Sequence, residues 1–257
     1  MSRSVYRYEQ SKADDTEVRN KLKAVAHKRQ KYGYRMLHGL LRKKGMKVNH
    51  KKIYRLYCEE GLQLRRKKKV KKVVRERVPM PVPEVPNKQW QMDFVHDSLG
   101  SGRKFRCLTI VDICSRYAPA VEVSHSITGE RVVEVLERLR FTRGLPEVIT
   151  VDNGPEFISH VVAEWAKKHG VILQHIQPGK PMQNAFIESF NGTFRHECLD
   201  THCFLSLKHA REIIQKWREE YNTQRPHSSL KNRTPEDIEV EFFSGKREKK
   251  VLTYNWY

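Results

Sequence analysis

No two cysteines of this chain stand in C-x-x-C spacing; Cys58, Cys107, Cys114, Cys198 and Cys203 are scattered through 257 residues. That excludes a zinc ribbon or a disulfide framework as the basis of the fold and leaves reduced, mostly buried thiols. His196, Cys198, His202 and Cys203 lie close in sequence, but their spacing matches no usual structural zinc site. Long apolar runs are missing too. None approaches the roughly 18 residues of a membrane span, and the N-terminus has no signal-peptide core. A soluble, cytoplasmic protein with no membrane partner is expected. Acid is scarce at the front: residues 1–89 hold 27 Lys and Arg against 8 Asp and Glu, whereas residues 90–257 hold 23 against 22.

A near-neutral globular portion therefore follows a strongly basic front piece, and the net charge of +20 belongs almost wholly to that front. Charge this one-sided favours a polyanionic partner, nucleic acid before a merely solvated face. Asp14 and Asp15 precede Val18, Leu22 and Val25, the pattern of a capped amphipathic helix. Met36, Leu37, Leu40 and Leu41 predict a second helix stopped by Gly45. Asn49 is placed to cap a third, with Ile53, Leu56 and Tyr57 buried and Gly61 at its end. The arrangement is helix-turn-helix-like. His50, Lys51, Lys52 and Arg55 occupy the outer face of the third helix, suited to phosphates or base edges; a plain three-helix bundle with a wet basic side is the alternative. Arg65, Arg66, Lys67, Lys68 and Lys69 open a block of seven basic residues in eight, which self-repulsion keeps extended until DNA is met. P-M-P-V-P-E-V-P, from Pro79 to Pro86, then makes a stiff linker. The expected organisation is a small all-α domain over 1–64, a basic and Pro-rich linker over 65–88, a core over 89–225 and a C-terminal extension over 226–257.

From Trp90 the pattern is α/β. Trp90 to Val95, Phe105 to Asp112, Tyr117 to Val123, Val148 to Val151 and Val171 to Ile176 read as strands. Helices are predicted over Thr128 to Thr142 and from Pro155 to Gly170, the latter with a buried stripe of Phe157, Val161 and Trp165. Three strands followed by alternating helix and strand argue a mixed five-stranded sheet with helices on its faces.

V-D-N-G-P-E-F, from Val151 to Phe157, puts the carboxylate of Asp152 at the exit of a buried strand, where functional groups of such sheets collect. Asp93 lies within the first strand and Asp112 at the end of the second. In G-K-P-M-Q-N-A-F-I-E-S-F-N-G-T-F-R, a helix from about Asn184 places Asn184, Glu188, Asn191 and Arg195 on one polar stripe, opposite Phe186, Ile187, Phe190 and Phe194. Carboxylates gathered in a cleft repel one another unless a divalent cation neutralises them, and such oxygen ligands suit Mg²⁺ or Mn²⁺. Two such ions can clamp both oxygens of a phosphodiester displacement. Asp112 is read as a turn acid pairing with Arg116, and Glu156 as a first-turn helix acid.

Thirty-five residues separate Asp152 from Glu188. With Asp93 upstream, this resembles the D, D-35-E triad of the retroviral-integrase and transposase superfamily, whose core is RNase H-like. W-Q-M-D-F, V-D-N-G-P-E-F, the Glu188 motif, Y-N-T-Q-R-P-H-S-S-L (Tyr221 to Leu230) and Thr234-Pro235 together resemble bacterial insertion-sequence transposases made from two overlapping frames, specifically the second-frame product. The resemblance covers roughly Tyr32 to Asp237. It implies that Asp93, Asp152 and Glu188 bind the metal, two ions of Mg²⁺ or Mn²⁺ per site, and catalyse DNA cleavage and strand transfer at element ends.

It further implies that Asn153 and Gly154 shape the turn behind Asp152, and that Asn184, Asn191 and Arg195 line the DNA-facing side of the Glu188 helix. The implied partners are double-stranded DNA of the terminal inverted repeats and target, a first-frame product as fusion or partner, and further copies of the chain on DNA, at the bacterial nucleoid. The opening M-S-R-S-V-Y-R-Y reads as the tail of a helical unit whose beginning is absent, and no heptad stretch is present. Arg225, Pro226 and His227, after the amphipathic helix of Leu207 to Tyr221, either contact DNA or pack the C-terminus. A non-catalytic DNA-binding regulator and an RNA-strand nuclease of related fold are the competing functions.

Overall fold

The computed structural model describes residues 15–64, 82–177 and 181–253. The chain divides into two compact units, Met1–Lys69 and Val70–Tyr257. Asp14, the basic block from Arg65 to Lys72 and the linker residues Pro79, Met80 and Pro81 lie outside the described residues.

The first unit holds α1 (Thr16–Lys28), α2 (Tyr34–Lys43) and α3 (His50–Glu59). Leu22, Leu37, Ile53 and Leu56 are fully buried between them, each such side chain contributing about 1.5–3 kcal/mol. Asn49 caps α3 as expected, its side chain accepting from the Lys51 N–H at 2.9 Å. Asp15 does not cap α1. It occupies the N-cap position without a side-chain cap bond, because Lys52 and Arg55 of α3 bind its carboxylate. Those bonds hold its pKa below the usual carboxylate value.

The second unit is built on a five-stranded sheet in the order β3-β2-β1-β4-β5. The strands are β1 (Gln89–Ser98), β2 (Lys104–Asp112), β3 (Ala120–Ser124), β4 (Val148–Val151) and β5 (Ile172–His175). β1, β2 and β3 pair antiparallel, while β4 runs parallel to β1 and β5 parallel to β4. On one face, Trp90 and Met92 pack with α4 (Gly129–Thr142), α5 (Pro155–Ile158) and α6 (His160–His169). On the other, Val95 packs with α7 (Ala185–Glu197) and α8 (Leu207–Thr223). The period of two along β1 separates these layers.

The helix expected from Pro155 to Gly170 is broken. Ser159 is extended (φ −57°, ψ 142°), and its hydroxyl donates to Glu156 O at 2.8 Å. The break shifts the buried phase by one residue, so Val162 is fully buried and Val161 is 36% exposed. Gly129 makes room for it: a Cβ there would stand 2.2 Å from Ser159 Oγ. After α8, the chain forms α9 (Pro235–Thr253), whose Thr234 and Asp237 bond reciprocally at 2.8 and 3.3 Å. Arg143, after α4, reaches Glu239 of α9 at 2.8 Å, which ties that end of α9 to the core.

Candidate active site

Asp93 stands in mid-strand on the face of β1 that meets α7, paired across β2 with Thr109. One carboxylate oxygen accepts from the Phe94 N–H at 2.7 Å, the other from Asn191 Nδ2 at 2.7 Å. Burial pushes its pKa up, and the charges of Asp152 and Glu188 push the same way against those two hydrogen bonds. Asp152 and Glu188 therefore each lie within electrostatic reach of Asp93.

The geometry follows from register. Gln91 pairs with Thr150 in the parallel β1–β4 ladder, and two residues further along each chain come Asp93 and Asp152. Asp152 follows the last residue of β4, and its Oδ1 accepts from the Gly154 N–H at 3.0 Å. A Cβ on Gly154 would stand 2.9 Å from that oxygen, so a larger residue would displace the carboxylate. Asn153 Nδ2 donates to Ile176 O at 3.2 Å, pinning the turn to the end of β5.

Glu188 is exposed in the first turn of α7. Asn191 lies one turn further on the same helix face, so the bond from Asn191 to Asp93 fixes that face against β1. Thr109 Oγ1 completes the contact, at 2.9 Å from Asn191 Oδ1 and 3.0 Å from Asp93 O. Among the described residues, no group of three His, Cys, Asp or Glu is gathered closely enough to hold a metal ion. The donor chemistry nonetheless fits a hard divalent cation. All three groups are carboxylates, and the repulsion that raises Asp93 is the kind a cation between them relieves.

Other residues singled out in the sequence have different surroundings. Asn184 is buried at 5% exposure with no partner for Oδ1 among the described residues, so the exposed part of the stripe begins at Glu188. Arg195 is exposed and donates to His96 O at 2.6 Å. Asp112 is fully buried, accepts from the N–H groups of Asn87, Cys114 and Ser115, and has Arg143 at 3.6 Å. Its ion-pair partner is thus Arg143, not Arg116. Arg116 has a positive φ of 61°, and its guanidinium lies 3.8 Å from the Phe186 ring centroid. Glu156 is in the first turn of α5 as read, and also binds Arg106. Arg225 is held by Glu197 at 2.8 Å with both side chains largely buried. Lys51 is exposed, whereas Lys52 and Arg55 are engaged by Asp15, and Arg55 also by Glu59 at 2.7 Å. Arg65, Arg66, Lys67, Lys68 and Lys69 lie outside the described residues.

Two polar residues of the site escaped the sequence reading. Thr109 carries no signal in sequence beyond its place in the strand Phe105 to Asp112. Gln91 is fully buried two residues before Asp93, on the same face of β1. The available signal was its even spacing from Asp93 within Trp90 to Val95, whose other residues are apolar.

Comparison with known proteins agrees with this architecture. The family description "Integrase core domain" matches residues 83–181 and, in a second form, 169–235; "HTH-like domain" matches 12–70. The "Insertion element IS407 uncharacterized 31.7 kDa protein" of Burkholderia multivorans is 46% identical over 239 residues, covering 93% of this chain and 86% of its own. The "Putative transposase InsK for insertion sequence element IS150" of Escherichia coli is 26% identical, covering 85% of this chain and 81% of its own. A chain in the cryoEM structure of the simian T-cell lymphotropic virus intasome in complex with PP2A regulatory subunit B56 gamma shares the fold. Its TM-score is 0.56 at 17% identity, over 75% of this chain and 67% of that one. The chain belongs to the insertion-element branch of the integrase-core family of transposases, with an HTH-like domain ahead of the core.

Proposed function

We propose that this chain is a DDE transposase catalytic subunit that cleaves and joins DNA strands at insertion-sequence ends. The observation that carries the reading is the Asn191–Asp93 bond, which sets the Glu188 helix against the strand bearing Asp93. Asp93, Asp152 and Glu188 would hold Mg²⁺ or Mn²⁺, two ions per site. The chemistry supplied there by bound divalent ions is charge neutralisation at a phosphodiester and activation of the attacking oxygen. The protein's own groups orient the acids: Phe94 N–H and Asn191 for Asp93, Gly154 N–H for Asp152, and the first turn of α7 for Glu188.

Cleavage forms a bond from water oxygen to phosphorus as the bond to the 3′ oxygen breaks, leaving a 3′-hydroxyl. That hydroxyl then attacks a second phosphodiester, displacing another 3′ oxygen, with no enzyme-linked intermediate. The HTH-like unit and the basic segment after it hold duplex DNA through Lys51 and the block Arg65 to Lys69, with Arg195 facing the strand near Glu188. The domain limits 1–64, 65–88, 89–225 and 226–257, a first-frame partner, assembly of several copies on the terminal repeats, and action at the bacterial nucleoid complete the proposal. Among the described residues, no helix is long and apolar enough to cross a membrane.

The test presents the chain, alone and fused to its upstream frame, with element-end duplex DNA and with an RNA–DNA hybrid of the same sequence. Metal-dependent nicking of the duplex, lost in Glu188→Gln, is expected. Cleavage confined to the hybrid would make the protein an RNA-strand nuclease. Duplex binding without cleavage in both forms would make it a regulator.

A further inference from the structure

A fully buried glutamine in a strand must find partners for both ends of its amide, since an unmet buried polar group is costly. Gln91 finds them in one place. Its Oε1 accepts from the Ile187 N–H at 2.9 Å, and its Nε2 donates to Gln183 O at 2.7 Å. Ile187 lies in the first turn of α7, where backbone N–H groups have no partner inside the helix. The residue at the N-cap position, Asn184, makes no side-chain cap bond. The cap of this helix therefore comes from a strand 96 residues earlier in the chain.

We propose that Gln91 is a positioning residue that sets the location of the Glu188 carboxylate relative to Asp93, an inference that rests on the metal-binding reading of these acids. Two features give the contact this meaning. Ile187, whose N–H is held, is the residue immediately before Glu188. Gln91 is also two residues from Asp93 on the same strand face, so one rigid strand carries both an acid of the site and the anchor of the helix bearing another. Along α7, Asn191 makes the second attachment to β1. The stack of Arg116 on Phe186 braces the same first turn from another side. Fixed at these points, α7 has little freedom to rotate or slide, and Glu188 projects from the turn between the Gln91 and Asn191 attachments. Residues that orient metal-binding groups from behind typically change metal affinity or activity by about 10–100-fold when removed.

The experiment uses the full chain without DNA and Mn²⁺ as the probe, titrated with detection by electron paramagnetic resonance. Gln91→Met removes both amide bonds while keeping an unbranched buried side chain, and Gln91→Glu keeps the acceptor for Ile187 N–H. Hydrogen exchange over the first turn of α7 is measured on the same samples. The expected result is Mn²⁺ binding weakened by about 10-fold or more in Gln91→Met, with faster exchange at Ile187 and unchanged affinity for duplex DNA. Gln91→Glu should retain more of the Ile187 protection than Gln91→Met. Native Mn²⁺ affinity and native Ile187 protection in Gln91→Met would overturn the inference. So would a general loss of protection across the sheet, which would mark Gln91 as a fold residue only. Glu188→Gln separates the two levels: if it leaves Mn²⁺ binding intact, the metal reading fails, whereas Ile187 exchange still reports whether Gln91 anchors the helix.

Discussion

Asn191 Nδ2 stands 2.7 Å from Asp93 Oδ2, while the Oδ1 of the same side chain stands 2.9 Å from the Thr109 hydroxyl. One amide thus joins α7 to both β1 and β2, and donates to a carboxylate that burial and two neighbouring acids push toward protonation. Asn191→Leu removes that donor at similar volume. The pKa of Asp93 should rise further, so the acid limb of the strand-joining rate should move to higher pH. A loss of about 10–100-fold at neutral pH is expected. A pH–rate profile of the variant against the parent protein checks both.

Asp93 also makes a stability prediction. Its folded-state pKa lies above its unfolded value, so its stabilising contribution is complete below the unfolded pKa and is lost as pH rises through the folded one. In chelator at neutral pH, the charge is therefore a burden on the fold. Asp93→Asn should melt higher than the parent protein there, and the gap should close in acid. Adding Mn²⁺ should stabilise the parent protein more than the variant. Thermal melts across pH, with chelator and with Mn²⁺, measure each part.

His227 is buried, its ring edge-on to Tyr221 with centroids 4.8 Å apart. Burial, aided by the charge of Arg225, lowers its pKa from 6.5 to about 3. A neutral buried imidazole that gains a proton on unfolding makes stability fall as pH drops from the unfolded to the folded pKa. The slope approaches about 1.4 kcal/mol per pH unit within that window. His227→Gln should show a shallower fall between pH 6 and pH 4, on the order of that slope, in urea titrations at the two pH values.

Arg225 and Glu197 form an ion pair with side chains 15% and 8% exposed. Removing one partner of a buried pair leaves an uncompensated charge and costs about 3–5 kcal/mol. Arg225→Ala should therefore lose stability by about 3 kcal/mol, and the double change with Glu197→Ala should recover much of it. Duplex affinity of the folded variant, measured well below its melting temperature, should stay near the parent value. A tenfold loss of affinity without loss of stability would return Arg225 to the DNA-contact reading.

The sequence revealed Asp152 because its signal is local: a strand end, an Asn-Gly turn and Pro155 at a helix start, all within seven residues. Asn49 was legible as the α3 cap for the same reason, whereas Asp93 stood out only through the W-Q-M-D-F motif and the 35-residue spacing of the other two acids. What escaped depends on residues far apart in the chain. Gln91 gains its meaning only when Ile187 arrives against it. Arg116 was nearer to Asp112 than Arg143 in sequence, but its positive φ accompanies a side chain turned onto Phe186 instead. The break at Ser159 carries no proline or glycine of its own; the space for it is left by Gly129 on another helix. Asp15 had the composition of a cap, yet two cations of α3 compete for it and win.

On the proposed function, Asp93, Asp152 and Glu188 act as one metal-dependent centre for joining DNA. Its most direct measurement is strand joining by the fused protein on element-end DNA, titrated with Mn²⁺ and resolved on a denaturing gel, for Asp93→Asn, Asp152→Asn and Glu188→Gln separately. Each variant should bind duplex DNA like the parent protein yet lose joined product by at least about a hundredfold. Joined product at the parent level from any one of the three would contradict the shared centre.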